Sequence, residues 1–137
     1  MSNEALIIVD LGTATTFDAV SARGEYLGGA IAPGIEVSME ALTTRAAKLI
    51  KVELAEPAHA IGKATAESLQ SGMVYGFAGQ VEGVVHAIWD ELGAQARVVA
   101  TGGLAELIAR HTRVIAEVDP LLTLRGIELV LRRQDPD

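Results

Sequence analysis

Apolar positions along the first third of the chain come in short β-rich runs; beyond them they recur at helical spacing. Ala5–Val9 is an apolar run rich in Ile and Val, closed by Asp10-Leu-Gly-Thr13, and predicts a buried strand ending in a tight turn. Thr15–Val20 predicts a second strand, leading into the turn sequence Ser21-Ala-Arg-Gly24. Glu25–Ala32 predicts a third, stopped by Pro33-Gly34. Three consecutive strands with short connections imply an antiparallel meander.

After Gly34, Ile35, Met39, Leu42 and Ala46 recur at three- and four-residue steps, which predicts a helix to about Lys48. Lys51–Ile61 lacks periodicity and reads as an irregular connection. A long helix is expected from Thr65 to Leu92, ended by Gly93, with Thr65 as its N-cap. Arg97–Thr101 reads as a fourth strand, Leu104–Arg110 as a short helix and Thr112–Ile115 as a short edge strand. Asp119-Pro120 opens a final helix, Leu121 to Arg132, with proline where a first helical turn tolerates it. The order is βββαβαβα, with two helices merged at its first α. It implies an α/β class: a three-stranded antiparallel meander extended by further strands, with helices on the sheet faces. No linker or repeat interrupts it, so residues 1–137 read as one domain.

The long helix carries a second pattern. Gly72, Gly76, Gly79 and Gly83 fall in one narrow stripe, while Met73, Phe77, Val81, Val84, Val85 and Ile88 fill a broad arc elsewhere. Each interior glycine costs roughly 0.8–1 kcal/mol against alanine, so four cost about 3–4 kcal/mol. Close approach by another helix would offset that. The helix therefore has two buriable faces, which either both pack within the monomer or make a helix–helix homodimer interface.

Composition narrows the function. Eleven basic against 18 acidic residues give the 137-residue chain a net charge of −7, which argues against nucleic acid as a partner. With no cysteine there is no disulfide framework, thiolate metal site or thiol catalysis. The longest uncharged run, Ser68 to Val81, falls short of the roughly 20 apolar residues that span a bilayer. No basic leader precedes the first strand, so a cytoplasmic location without membrane association is expected.

Asp10-Leu-Gly-Thr13 is the strongest chemical signal. A strand delivers Asp10 to the sheet edge, Gly12 permits a sharp turn, and Thr13 offers a hydroxyl and an N–H to an anion. A carboxylate beside a phosphate cradle usually holds a cation, because the two anions repel. The bland alternative is an ordinary turn with a solvated aspartate. Thr101-Gly-Gly103, between a strand and a helix, is a second place where backbone can approach a nucleotide. Lys63 and Thr65, ahead of the long helix, are candidate anion and cap residues. His59, His86 and His111 lack metal-ligand spacing, and no serine stands in a Gly-x-Ser-x-Gly elbow. Neither a Walker phosphate loop nor a dinucleotide Gly-x-Gly-x-x-Gly is present. Asp18 and Glu25 flank one hairpin and read as solvated charges.

Together, Asp10-Leu-Gly-Thr-Ala-Thr-Thr-Phe-Asp18, Gly28-Gly-Ala-Ile-Ala-Pro-Gly34, Ala41-Leu-Thr-Thr-Arg-Ala-Ala-Lys-Leu49, Ile61-Gly-Lys-Ala-Thr65, Ser71-Gly-Met-Val-Tyr-Gly76, Ala100-Thr-Gly-Gly-Leu-Ala105 and Asp119-Pro-Leu-Leu-Thr-Leu-Arg-Gly126 resemble the C-terminal half of a type III pantothenate kinase. The resemblance implies a ribonuclease H-like lobe of the sugar kinase/Hsp70/actin superfamily, working on pantothenate in coenzyme A biosynthesis with ATP, Mg2+ and K+. It implies that Asp10 holds a monovalent cation, and that Gly12 and Thr13 bind ATP phosphates. Gly102 and Gly103 would then lie on the adenosine side, and Thr65 would contact pantothenate at a dimer partner's site. Homodimerisation through the helix Thr65–Leu92 agrees with the glycine stripe.

The family's Asp-x-Gly-Asn-Thr loop and its Gly-Ala-Asp-Arg motif, whose aspartate is the catalytic base, do not occur. Ala64 stands where the family usually has asparagine, and Ile50 where it has proline. The expectation is therefore a nucleotide-binding lobe without a catalytic residue of its own, inactive alone and open to a separate N-terminal lobe. The alternative is a non-catalytic single-lobe homodimer scaffold, engineered or ancestral-like.

Overall fold

The computed structural model describes residues 4–45 and 52–134. Its elements run β1 (Leu6–Leu11), β2 (Ala14–Val20), β3 (Tyr26–Pro33), α1 (Ile35–Arg45), α2 (Thr65–Leu92), β4 (Arg97–Thr101), α3 (Ala105–Ala109), β5 (Glu117–Val118) and α4 (Leu122–Gln134). The five strands form one mixed sheet in the order β3-β2-β1-β4-β5. β1, β2 and β3 pair antiparallel, as the meander predicts, while β1–β4 and β4–β5 are parallel.

Alternation along the strands sorts the two faces. Ile7, Val9 and Leu11 of β1 and Phe17 of β2 point into the core, with Ile7, Val9 and Phe17 fully buried. They meet Ile35 of α1, Val74, Phe77, Val81 and Val85 of α2, and Ala105 and Ile108 of α3. These helices thus pack on one face of the sheet, not on both as the element order suggests. The opposite face carries Leu6, Ile8, Asp10, Thr16 and Asp18, all partly exposed. α4 leaves Leu121 before it, and its own Leu124, Ile127 and Leu129, about half exposed or more.

α2 has the expected bounds and ends on Gly93 in the left-handed conformation (φ 70°), the residue type that accepts it without strain. Its start differs from expectation. Ala64, not Thr65, occupies the N-cap and makes no side-chain cap bond. The connection is held instead by side chains of the first two turns. Glu67 accepts the Lys63 N–H (3.1 Å), and Ser68 and Ser71 donate to the carbonyls of Gly62 (3.3 Å) and Ala60 (2.5 Å). Glu56 is fixed from the other side, 2.8 Å from Nε2 of His111, which stacks edge-on with Tyr75 of α2. The glycine stripe lies opposite the α2 core residues. Gly72, Gly76, Gly79 and Gly83 are exposed, and a β-carbon on any of them meets nothing within 4 Å. The reading in which both faces of this helix pack within the monomer therefore fails among the described residues.

Two further expectations change. The edge strand placed at Thr112–Ile115 lies instead at Glu117–Val118, because Val114 turns inward to the core and the ladder bonds begin with Ala116 N–H to Val98 O (2.9 Å). The end of the helix expected to reach Lys48 lies outside the described residues past Arg45. Among the described residues, no helix is long and apolar enough to cross a membrane.

The hairpin carboxylates part company. Asp18 accepts a 2.8 Å hydrogen bond from the Tyr26 hydroxyl, which holds that phenol above its ordinary pKa, aided by some burial and by the charge of Asp18. The folded state thus favours the neutral phenol; the stability this gives is present below the ordinary value and is lost as pH rises through the raised one. In a 295 nm titration, Tyr26 is expected to ionise above 10, and Asp18→Asn to bring it back down. An unchanged curve in Asp18→Asn would remove the carboxylate as the cause.

Candidate functional site

Three turns meet at one end of the sheet. The first is the β1–β2 turn, where Gly12 N–H bonds to Ala14 O (3.2 Å) and Gly12 and Thr13 are exposed. The second is Gly34, between β3 and α1. A β-carbon there would clash with the carbonyl oxygen of Thr13 and lie 2.7 Å from that of Gly12. The third follows β4. Gly102 has φ +105°, and a β-carbon on it would sit 2.5 Å from the Leu11 carbonyl oxygen. Backbones this close admit no side chain at Gly34 or Gly102. The arrangement places the first turn of α1, with its unpaired N–H groups, beside Thr13.

Asp10 ends this construction on the open face of the sheet. It pairs in register with Thr16 of β2 and Thr101 of β4, and its carboxylate oxygen Oδ1 lies 3.4 Å from where a Gly12 β-carbon would stand. Among the described residues Asp10 enters no ion pair. Asp119, beyond β5, is instead held by Arg125 (2.9 Å) and by the Leu121 N–H (3.0 Å). A partly exposed carboxylate with no ion-pair partner among the described residues, beside a turn that offers N–H groups, fits a bound cation of the oxygen-seeking kind. No group of three or more acidic or histidine side chains that could hold a metal occurs among the described residues, so a divalent ion would have to bring most of its ligands with it.

Of the sequence-predicted residues, Asp10, Gly12, Thr13 and Gly102 come together at this end. Gly103 follows Gly102 but is exposed, and a β-carbon there would have open space. Thr65 is exposed and lines a separate shallow depression with Gly62, Lys63, Ala64, Ser68 and Leu69. Gly62 is required there, since a β-carbon on it would lie 2.5 Å from the Ser68 nitrogen.

Two features escape sequence reasoning. Gly34 reads as a strand stop, although its place after Pro33 at a strand-to-helix junction was the available signal. A cavity of about 390 Å³ beside the Gly102–Gly103 turn is lined by Met39, Leu54 and Leu104, with Glu36, Glu40 and Glu53 around them. It joins segments distant in sequence and leaves no local motif.

Against known proteins, the chain is 58% identical over 128 residues to a type III pantothenate kinase of Anaeromyxobacter sp. (strain Fw109-5), covering 93% of this chain and 50% of that relative. It is 58% identical over 130 residues to the enzyme of that name from Streptomyces coelicolor, covering 93% and 49%. The Moorella thermoacetica enzyme is 57% identical over 127 residues, covering 93% and 50%. The chain spans about half the length of these curated relatives. Among solved structures, a protein from Campylobacter jejuni named as a Baf family transcriptional activator superposes with a TM-score of 0.66. It covers 97% of this chain and 59% of that one at 23% identity, a likeness of fold alone. Residues 1–87 match the family model for type III pantothenate kinase, and on these grounds the chain belongs to the type III pantothenate kinase family.

Proposed function

We propose that this chain is the ATP-binding C-terminal lobe of a type III pantothenate kinase, with the ribonuclease H-like topology of the sugar kinase/Hsp70/actin superfamily. The observation that carries the reading is the convergence of the Asp10–Thr13, Gly34 and Thr101–Gly103 turns at one sheet end. Gly12 and Thr13 with the first turn of α1 receive phosphates, which helix N-termini and turn N–H groups favour. The cavity at Leu104 takes the nucleoside: its apolar side chains suit a base and its carboxylates accept ribose hydroxyls. Asp10 would hold K+, with Mg2+ carried on the phosphates; when bound, the two cations would supply charge that offsets that of the transferring group.

Phosphoryl transfer requires both substrates to be positioned and charge between them to be stabilised. This lobe orients the nucleotide and, in a homodimer, presents Thr65 to the substrate of its partner. The base that removes the substrate's hydroxyl proton belongs to the other lobe, so the chain alone transfers no phosphoryl group. Titration calorimetry with MgATP in potassium buffer is expected to show binding that weakens at least tenfold in Thr13→Ala, about 1.4 kcal/mol or more. No heat at millimolar ATP would overturn the reading.

A second reading, a homodimeric scaffold that binds nothing, is favoured by the open glycine stripe of α2. It shares the dimer with the first reading and differs in the calorimetric result.

A further inference from the structure

Residues 52–64 form no helix or strand, yet they lead into the turn Gly62–Thr65 at the start of α2. A stretch without a ladder of its own must be held by groups outside it. Ser68, Ser71 and Glu67 of α2 hold its last residues, and Gln70 donates to the Glu53 carbonyl (3.1 Å).

Its middle is tied to a different element. Pro57 is buried, and Glu56 before it reaches the end of α3. Oε1 of Glu56 lies 2.8 Å from Nε2 of His111, and its Oε2 lies 3.7 Å from Arg110. The His111 side chain is 12% exposed, and its Nε2 is buried without a well-directed hydrogen bond among the described residues. Buried polar atoms normally have a partner, so a carboxylate at ion-pair distance offsets the burial of this one. Tyr75 of α2 meets the imidazole edge-on, 5.0 Å between ring centroids. Ion pairs between exposed, mobile side chains contribute little; here one partner is buried and packed against a second ring, so the geometry is fixed in advance.

His111 is in turn anchored to α3. Its N–H bonds to the carbonyl of Ile108 (3.0 Å), a fully buried residue, and the Ala105 N–H that opens α3 bonds to the carbonyl of Gly102 (3.2 Å). The contact with Glu56 therefore joins the stretch that carries Thr65 to the element that hangs from the Gly102 turn.

We propose that His111 and Glu56 form a latch that positions the Gly62–Thr65 turn by fixing the stretch ahead of it to the end of α3. The inference rests on the proposed function for its purpose, since Thr65 is there assigned to substrate, and it adds two positioning residues remote from that turn in sequence. His111 and Glu56 act through the backbone between Pro57 and Gly62 and touch no substrate.

The test is amide hydrogen exchange by NMR on the chain itself. His111→Phe keeps a ring against Tyr75 and removes the nitrogen; Glu56→Gln removes the charge at a half-exposed position and leaves the packing alone. Each is expected to speed exchange at the Lys63 and Ser68 amides at least about threefold, while the core amides of Val9 and Val81 stay within about twofold of wild type. The double variant is expected to exchange no faster than the faster single one, because both remove the same contact. His111→Gln, which returns a nitrogen at similar reach, is expected to restore wild-type exchange to within about twofold.

Unchanged exchange at Lys63 and Ser68 in both single variants would overturn the latch. So would additive effects in the double variant, a glutamine variant as fast as the phenylalanine one, or acceleration spread evenly through Val9 and Val81. Pantothenate added to wild type separates this result from the reading it rests on. A shift of the Thr65 amide supports both. If the variants behave as expected and Thr65 does not respond, the substrate assignment of Thr65 falls and the latch stands.

Discussion

Alanine at Gly102 is expected to destabilise the chain by about 2–6 kcal/mol and to lower its ATP affinity at least tenfold, whereas alanine at the adjacent Gly103 leaves both nearly unchanged. The contrast follows from two independent penalties at one position. Gly102 has φ +105°, where a side chain is strained by about 1–3 kcal/mol, and its β-carbon would stand 2.5 Å from the Leu11 carbonyl oxygen, adding about 1–3 kcal/mol of overpacking. Gly103 has open space. Gly34→Ala is expected to resemble Gly102→Ala, because its β-carbon would displace the carbonyl of Thr13 and with it the turn proposed to meet phosphate. Thermal unfolding would show a fall on the order of 10 °C for Gly102→Ala. Equal midpoints for the two neighbouring glycine variants would refute the packing of the third turn on β1.

The second large effect concerns α2. Replacing Gly72, Gly76, Gly79 and Gly83 together by alanine adds four methyl groups to an exposed helix face where nothing lies within 4 Å. In an isolated chain the substitutions would raise stability by about 3–4 kcal/mol through helix propensity alone. In a dimer joined along the stripe they push the backbones apart. The quadruple variant is therefore expected to sediment as a monomer at concentrations where wild type sediments as a dimer, while unfolding at a higher temperature when dilute. A variant that remained dimeric would exclude the stripe as the interface, and a wild type that is monomeric at every concentration would leave the glycines without this explanation.

Elements governed by local pattern were legible in the sequence. α2 was readable to its bounds because a capping glycine and an unbroken period of buried positions coincide, and β4 because an apolar run stops at Gly102. The edge strand reads as Thr112–Ile115 because that stretch has β-branched composition, whereas the ladder needs only backbone and takes Glu117 and Val118. Thr65 reads as a cap because a threonine ahead of a helix satisfies the cap rule, and nothing local shows that Glu67 and Ser68 bind the connection first.

The site was half legible. Asp10, Gly12 and Thr13 announce a turn, but the closeness of Gly34 and Gly102 to it depends on tertiary approach. The alignment of Asp10 with Thr101 depends on register between β1 and β4, strands that lie far apart in the chain. Pairwise spacing along one sequence does not carry that register.

The placement of β1 also dictates an order of assembly. Its antiparallel neighbour β2 follows after a two-residue turn, whereas its parallel neighbour β4 arrives only after β3, α1 and the whole of α2 have been traversed. Closing the parallel half carries the loop entropy of that long excursion, so the meander is expected to form early and β4 to dock late. Asp10 and Thr13 would then be present on a hairpin from the beginning, without Thr101 and Gly102 beside them. The arrival of β4 brings Thr101 and Gly102 beside Asp10 and Thr13, so on the proposed reading nucleotide binding reports a chain whose parallel half has docked.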